Sequence, residues 1–264
     1  RQAVQRRNFL LLSSFFLLDG CKVEYSPYSA TTDQKNLNAH NIKLLNKKSS
    51  TQTESFKVAF VSDTHTYYDN FLDITKAIAS REDIDFVIHC GDITDSGILQ
   101  EYKWGEEILR KVDLPYVVVF GNHDALANGR RIYADMFGEE NFTFSYNQAH
   151  LISFNTNNWE DHSNVIDYEW LETTLQAMPL GAIKIVAAHV PPDDSKRFTP
   201  QQIELFHTLM IQYNVSTVIF GHNHNHASFT KDSVQYITIG AASKSLYVTL
   251  DIDSTSVTME KIDV

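Results

Sequence analysis

Residues 57–65 read KVAFVSDTH and residues 85–95 read DFVIHCGDITD. Each opens as a short apolar, β-branched run and ends abruptly in carboxylate and imidazole. Such runs, apolar without alternation, are those of strands buried on both faces. Lys57–Ser62 and Asp85–Cys90 are therefore read as strands, with helical spacing between them at Phe71, Ile74 and Ile78 over Asn70–Ser80. A helix over Gln100–Val112 and a third strand over Pro115–Phe120 continue the pattern. Strand, helix, strand, helix, strand implies a parallel α/β core.

Further strands are expected over Asn141–Tyr146, His150–Asn155, Ile183–His189 and Val215–Phe220, with helices over Tyr168–Met178 and Pro200–Tyr213. From Ser228 to Ile262 the chain alternates like antiparallel strands. The expected architecture is two sheets packed face to face with helices outside.

The chemistry collects at the strand ends. VSDTH closes the first strand, HCGD the second and FGNHD the third; AAHVPP and FGHNH close two later ones. Ligands bind at that edge of α/β sheets. The side chains gathered there are Asp63, His65, Asp92, Asn122, His123, His189, His222 and His224. Carboxylate oxygen with imidazole nitrogen suits Zn, Mn or Fe, and no thiolate is required. Gly91, Gly121 and Gly221 let the backbone turn sharply into the site. His226 continues the alternation after His222 and His224 and is expected to face solvent. Cys90 is read as an inert packing residue.

Asp63-x-His65, Gly91-Asp92, Gly121-Asn122-His123-Asp124, His189 and Gly221-His222-Asn223-His224 together resemble the signature of the calcineurin-like metallophosphoesterases. The resemblance implies an α/β fold of four layers, an α/β/β/α sandwich of two mixed sheets. It implies two metal ions, Mn, Fe or Zn, about 3.5–4 Å apart with a hydroxide between them as nucleophile. One ion would take Asp63, His65, Asp92 and His224, the other Asp92, Asn122, His189 and His222. It gives His123 the role of general acid and Asp95 that of orienting it. Ser96 stands where the Ser/Thr protein phosphatases carry arginine, and Asp95 where purple acid phosphatases carry a tyrosine ligand. The resemblance therefore leans to the bacterial phosphodiesterase branch, which includes cyclic-nucleotide phosphodiesterases. The substrate implied is a small phosphorylated molecule, a diester or monoester, and a monomer is expected.

The N-terminus is of another kind. Arg6-Arg7 precedes an apolar stretch, Phe9–Leu18, too short to span a bilayer. Arg6-Arg7-Asn8-Phe9-Leu10 is similar to a twin-arginine export signal, and Leu18-Asp19-Gly20-Cys21 resembles a bacterial lipoprotein box, with Cys21 the lipidated residue. Residues 1–20 are thus expected to be an export signal, 21–54 a polar, lipid-anchored tether and 55–264 the metallophosphoesterase domain. The expected location is the bacterial cell envelope, with the lipid on Cys21 as the membrane contact.

The formal charge is −11; Arg1, Arg6 and Arg7 against Asp19 give residues 1–20 a net +2 and leave −13 for the rest. An acidic body argues against nonspecific nucleic-acid or anionic-membrane binding, and no sequence-specific nucleic acid is expected. Two other readings stay open: an exported metal-binding or scaffold lipoprotein without turnover, and a cytosolic cyclic-nucleotide phosphodiesterase.

Overall fold

A computed structural model describes residues 29–49, 55–160, 165–193 and 195–264. The export segment and Cys21 lie outside them. One sheet has strands β1 (Phe56–Val61), β2 (Phe86–His89), β3 (Tyr116–Val118), β10 (Leu246–Ile252) and β11 (Val257–Asp263), in the order β11-β10-β1-β2-β3. The other has β4 (Phe142–Tyr146), β5 (Ala149–Phe154), β6 (Ile183–Ala188), β7 (Thr217–Phe220), β8 (Ala227–Lys231) and β9 (Val234–Thr238), in the order β4-β5-β6-β7-β9-β8. Both sheets are mixed: β1, β2 and β3 run parallel, as do β5, β6, β7 and β9, while β10, β11, β4 and β8 are antiparallel to their neighbours.

Three apolar clusters make the four layers. Between the sheets, Val58, Phe60, Ile88 and Val117 meet Leu151, Ile185, Ile219 and Ile237. Helices α2 (Tyr68–Ala79), α3 (Leu99–Leu109) and α4 (Gly129–Met136) cover the outer face of the first sheet through Phe71, Ile74, Ile78, Leu109, Ile132 and Tyr133. Helices α5 (Tyr168–Ala177) and α6 (Pro200–Gln212) cover the second through Leu171, Leu175, Phe206 and Met210. The α/β/β/α sandwich expected from the sequence is the fold observed. Helix α6 starts where its chemistry says it should: Thr199 and Gln202 form a reciprocal capping box, with Pro200 in the first turn. In the tail, β9 pairs parallel with β7 instead of continuing an antiparallel run.

Within the tether expected over 21–54, one stretch is a folded element. Leu37–Lys48 is a helix, α1, docked where the two sheets end. Strand β3 is an edge strand, and its backbone meets two asparagine side chains of α1. Asn38 Nδ2 donates to Val118 O at 2.9 Å and its Oδ1 accepts from Val118 N at 2.8 Å. Asn41 Oδ1 accepts from Tyr116 N at 3.2 Å. The amides thus stand in for a missing strand and close the exposed edge. Leu45 is fully buried in the core between the sheets. The sequence hides this helix because amides rather than an apolar stripe make much of the seal.

Candidate metal centre

The loops leaving the C-terminal ends of β1, β2, β3, β6 and β7 converge, and they carry all the predicted ligands. Asp63, His65, Asp92, Asn122 and His189 are each at most 3% exposed. Asp92 lies in the middle. Its Oδ1 accepts from the His123 backbone N–H at 2.8 Å, and its Oδ2 lies 3.1 Å from His189 Nε2 and 3.7 Å from His65 Nε2. On one side, Asp63 Oδ1 is 3.3 Å from His224 Nε2, which is itself 3.3 Å from His65 Nε2. On the other, Asn122 Oδ1 lies 3.0 Å from His189 Nε2 and 2.9 Å from His222 Nδ1. Asp63, His65 and His224 form one group whose ligand atoms all lie within 4.8 Å of one another, and Asp92, His189 and His222 form another. His65, Asp92 and His123 meet the same measure.

This donor set fits two cations. Ring nitrogens and carboxylate oxygens crowd together in a buried space, where charge is costly without a counter-ion. His189 donates from Nδ1 to the Cys90 carbonyl at 2.7 Å, which leaves its Nε2 for the site. Burial pushes the His189 pKa down, but the neighbouring Asp92 and Asp63 carboxylates outweigh it and raise it to about 10. Burial, with His189 and Arg197 nearby, lowers His222 to about 4.

The backbone is strained at the same places. Asp63, His65, Asp92, His222 and His224, five of the seven predicted ligands, have φ between 41° and 68°. Residues other than glycine seldom adopt that left-handed region, and strain of this kind collects at functional sites. The contacts that hold it are specific: Thr64 and His65 N–H both donate to Asp92 O, and His222 N–H donates to both Asp63 oxygens at 3.0 Å. At Gly221 a Cβ would run into Ser62 and the Asp63 carboxylate, and at Gly121 into Asp92, so both loops need glycine for their close approach.

Two expectations change. The resemblance gives Asp95 the part of orienting His123, a part usually assigned to a carboxylate. Instead its main-chain carbonyl accepts from His123 Nδ1 at 2.7 Å, and its carboxylate Oδ1 lies 3.4 Å from His65 Nδ1. The loop is fixed this way because Glu101, in the first turn of α3, accepts from the Asp95 and Ser96 N–H groups at 3.1 and 2.8 Å. His226, expected to face solvent, is half-buried, and its Nδ1 is shielded with no hydrogen-bond partner. Cys90 is a buried free thiol, and burial raises its pKa well above the usual value.

Sequence reasoning gave no role to three residues that shape the site. Asp124 is fully buried and accepts from the N–H groups of Asp92, Thr94 and Gly121 at 2.9, 3.0 and 2.9 Å. It pins the second and third strand-end loops together. Its place in Gly-Asn-His-Asp was the available signal. Glu160 accepts from Asn122 Nδ2 at 3.0 Å and is gripped by Arg197. Burial pushes the Glu160 pKa up, but Arg197 outweighs it and the carboxyl stays ionised. No spacing pattern marks these two loop residues. Of the aromatics near the motifs, Tyr67 and Trp159 are exposed and Phe198 is buried.

Comparison with known proteins agrees with this geometry. The family model described as Calcineurin-like phosphoesterase matches residues 56–226, the span from β1 to the third histidine of the HNHNH run. The probable glycerophosphodiester phosphodiesterase GpdQ of Arcobacter nitrofigilis is 37% identical over 99 residues, which are 32% of this chain and 36% of that protein. A probable cyclic nucleotide phosphodiesterase of Coxiella burnetii is 28% identical over 189 residues, 64% of this chain and 76% of that one. Among solved structures, a dimetal phosphatase from Danio rerio superposes with a TM-score of 0.61 at 15% identity, over 79% of this chain and 97% of that one. The purple acid phosphatase PPD1 of yellow lupin does so with 0.62 at 14%, over 81% and 52%. At these identities the structural matches speak for the fold. With more than half of the chain inside the family model, and the signature residues meeting at one strand-end site, the chain belongs to the calcineurin-like phosphoesterase family.

Proposed function

We propose that the chain hydrolyses a small phosphodiester, using two cations held by Asp63, His65, Asp92 and His224 and by Asp92, Asn122, His189 and His222. Bound there, the cations would supply an acidified water as nucleophile and neutralise charge on the phosphoryl oxygens. The observation that carries the reading is the position of His123. Its ring packs edge-on against that of His65, centroids 4.7 Å apart, yet its Nδ1 is turned to a carbonyl. A carbonyl only accepts, so Nδ1 keeps its hydrogen and Nε2 is the nitrogen that gains or loses a proton. The imidazolium of His123 can therefore give its Nε2 proton to the departing ester oxygen as the P–O bond breaks.

The diester preference is supported by Ser96, which leaves no arginine at that place to clamp a phosphate dianion, and by relatives named for diester substrates. Export and anchoring through Cys21 belong to the same proposal. They rest on the N-terminal sequence, and a twin-arginine route would suit a protein that folds around its metals before leaving the cytoplasm. Cys21→Ser should release the chain from the membrane fraction with turnover intact; continued membrane association would refute the anchor.

The test of the chemistry is leaving-group dependence. A nitrophenolate leaves without much help, whereas a ribose or alkyl alkoxide needs a proton. His123→Ala should lose far more activity on a ribose-type diester than on bis-p-nitrophenyl phosphate. Equal losses, with chemistry rate-limiting, would take the acid role away from His123.

A further inference from the structure

The Asn122 amide has two different ends, and only its oxygen can bind a cation. In the structure that oxygen faces His189 and His222, while Nδ2 donates to Glu160 Oε1 at 3.0 Å. A carboxylate can only accept, so Glu160 selects the NH₂ end of the amide and leaves the oxygen inward. Glu160 is itself fixed. Arg197 Nη1 donates to its Oε2 at 2.9 Å and Nη2 to its Oε1 at 3.0 Å, a two-pronged grip that holds the plane of the carboxylate. The guanidinium lies 4.8 Å from the centroid of the Trp159 ring. The side chains of Glu160 and Arg197 are only 20% and 11% exposed, well below the usual state of surface charges. Asn122 follows β3 of one sheet, whereas Glu160 follows β5 and Arg197 precedes α6 on the other. The contact therefore joins the two halves of the sandwich at the metal centre.

We propose that Glu160, held by Arg197, is a positioning residue that locks the Asn122 amide with its oxygen toward the second cation. The inference rests on the two-cation reading above. Arg197 offsets the charge of Glu160, so the pair orients a ligand without adding net negative charge to an already acidic pocket. An unheld amide would present either end, and the wrong end points N–H groups at a cation.

The test is Mn²⁺ binding to the chelator-stripped full chain, followed by calorimetry. The unsubstituted chain should take two ions. Glu160→Ala should weaken one of them by roughly 10–100-fold and leave the other unchanged. Glu160→Gln, whose oxygen can still accept from Asn122 while its NH₂ end loses the bond from Arg197, should fall between the parent and Glu160→Ala. In an Asn122→Asp background both ends of the side chain are oxygen, and Glu160→Ala should then cause no weakening. Full binding of both ions by Glu160→Ala would overturn the assignment. So would Glu160→Gln as weak as Glu160→Ala, which would make the effect one of charge, and so would equal weakening of both ions. A parent chain that binds fewer than two Mn²⁺ would instead overturn the two-cation reading, before any variant is compared.

Discussion

The flank closed by α1 and the rim formed by the strand-end loops both bury polar side chains, and they treat them in opposite ways. On the flank, Asn38 gives and takes one hydrogen bond each with Val118, and Asn41 accepts from Tyr116. The amides are consumed by backbone. On the rim, His65 and His224 set ring nitrogens 3.3 Å apart and Asp63 and Asp92 turn oxygens to the same space. Those four and His222 also sit in left-handed backbone, a conformation that helix α1 does not use between its ends. Buried polarity that pairs with backbone holds a fold together. Buried polarity that converges on itself, under strain, is arranged for something that comes from outside.

The largest expected effect lies on the rim. His123→Ala should slow turnover by roughly 10²–10⁴-fold, measured on a diester with a basic leaving group. Metal content should stay near that of the parent, because His123 holds Asp92 through its backbone N–H, which alanine keeps. Loss of metal in this variant would place His123 among the ligands.

On the flank the effect should be one of stability. Asn38→Leu strands the buried N–H of Val118, whose C=O keeps the Tyr133 hydroxyl as donor, and should cost about 1–3 kcal/mol in denaturant unfolding. Added metal should stabilise this variant as much as it does the parent. A stability loss that appears only in the metal-loaded protein would dissolve the distinction between the two regions.

The effect that is smallest near neutral pH, and grows only in acid, concerns His89, which stands behind the rim with Nε2 3.0 Å from Thr64 Oγ1. Burial, chiefly, lowers its pKa from 6.5 to about 3. The folded state therefore refuses a proton that the unfolded state accepts below about pH 6.5. Stability is complete above that pH and falls as the pH drops toward 3. His89→Gln should make the metal-free protein less sensitive to acid over this window, by at most about 1.4 kcal/mol per pH unit. Identical pH slopes for parent and variant would rule out a neutral, buried His89.

The rim was largely legible in the sequence and the flank was not, for physical reasons. Strands such as VAFV and FVIH are buried on both faces, so they appear as unbroken apolar runs, and the candidate ligands follow at once in chain order. Helix α1 seals with Asn38 and Asn41, residues that read as linker by composition. Helix α4, GRRIYADM, buries only Gly129, Ile132, Tyr133 and Met136, too short a stripe to register. Glu160 and Arg197 lie 37 residues apart and meet only because β5 and α6 bring their loops to the same end of one sheet. Asp95 shows the limit of transfer by resemblance: the atom that meets His123 is its carbonyl oxygen and not its carboxylate.

The central claim is that the rim residues are built around two cations with Asp92 shared between them. Metal content by elemental analysis, in the parent chain and in Asp92→Asn after identical loading and desalting, tests it most directly. The parent should retain two ions per chain, and Asp92→Asn should lose occupancy at both positions, since each has Asp92 as neighbour. An unchanged metal content in Asp92→Asn, or a parent chain that retains none, would contradict it.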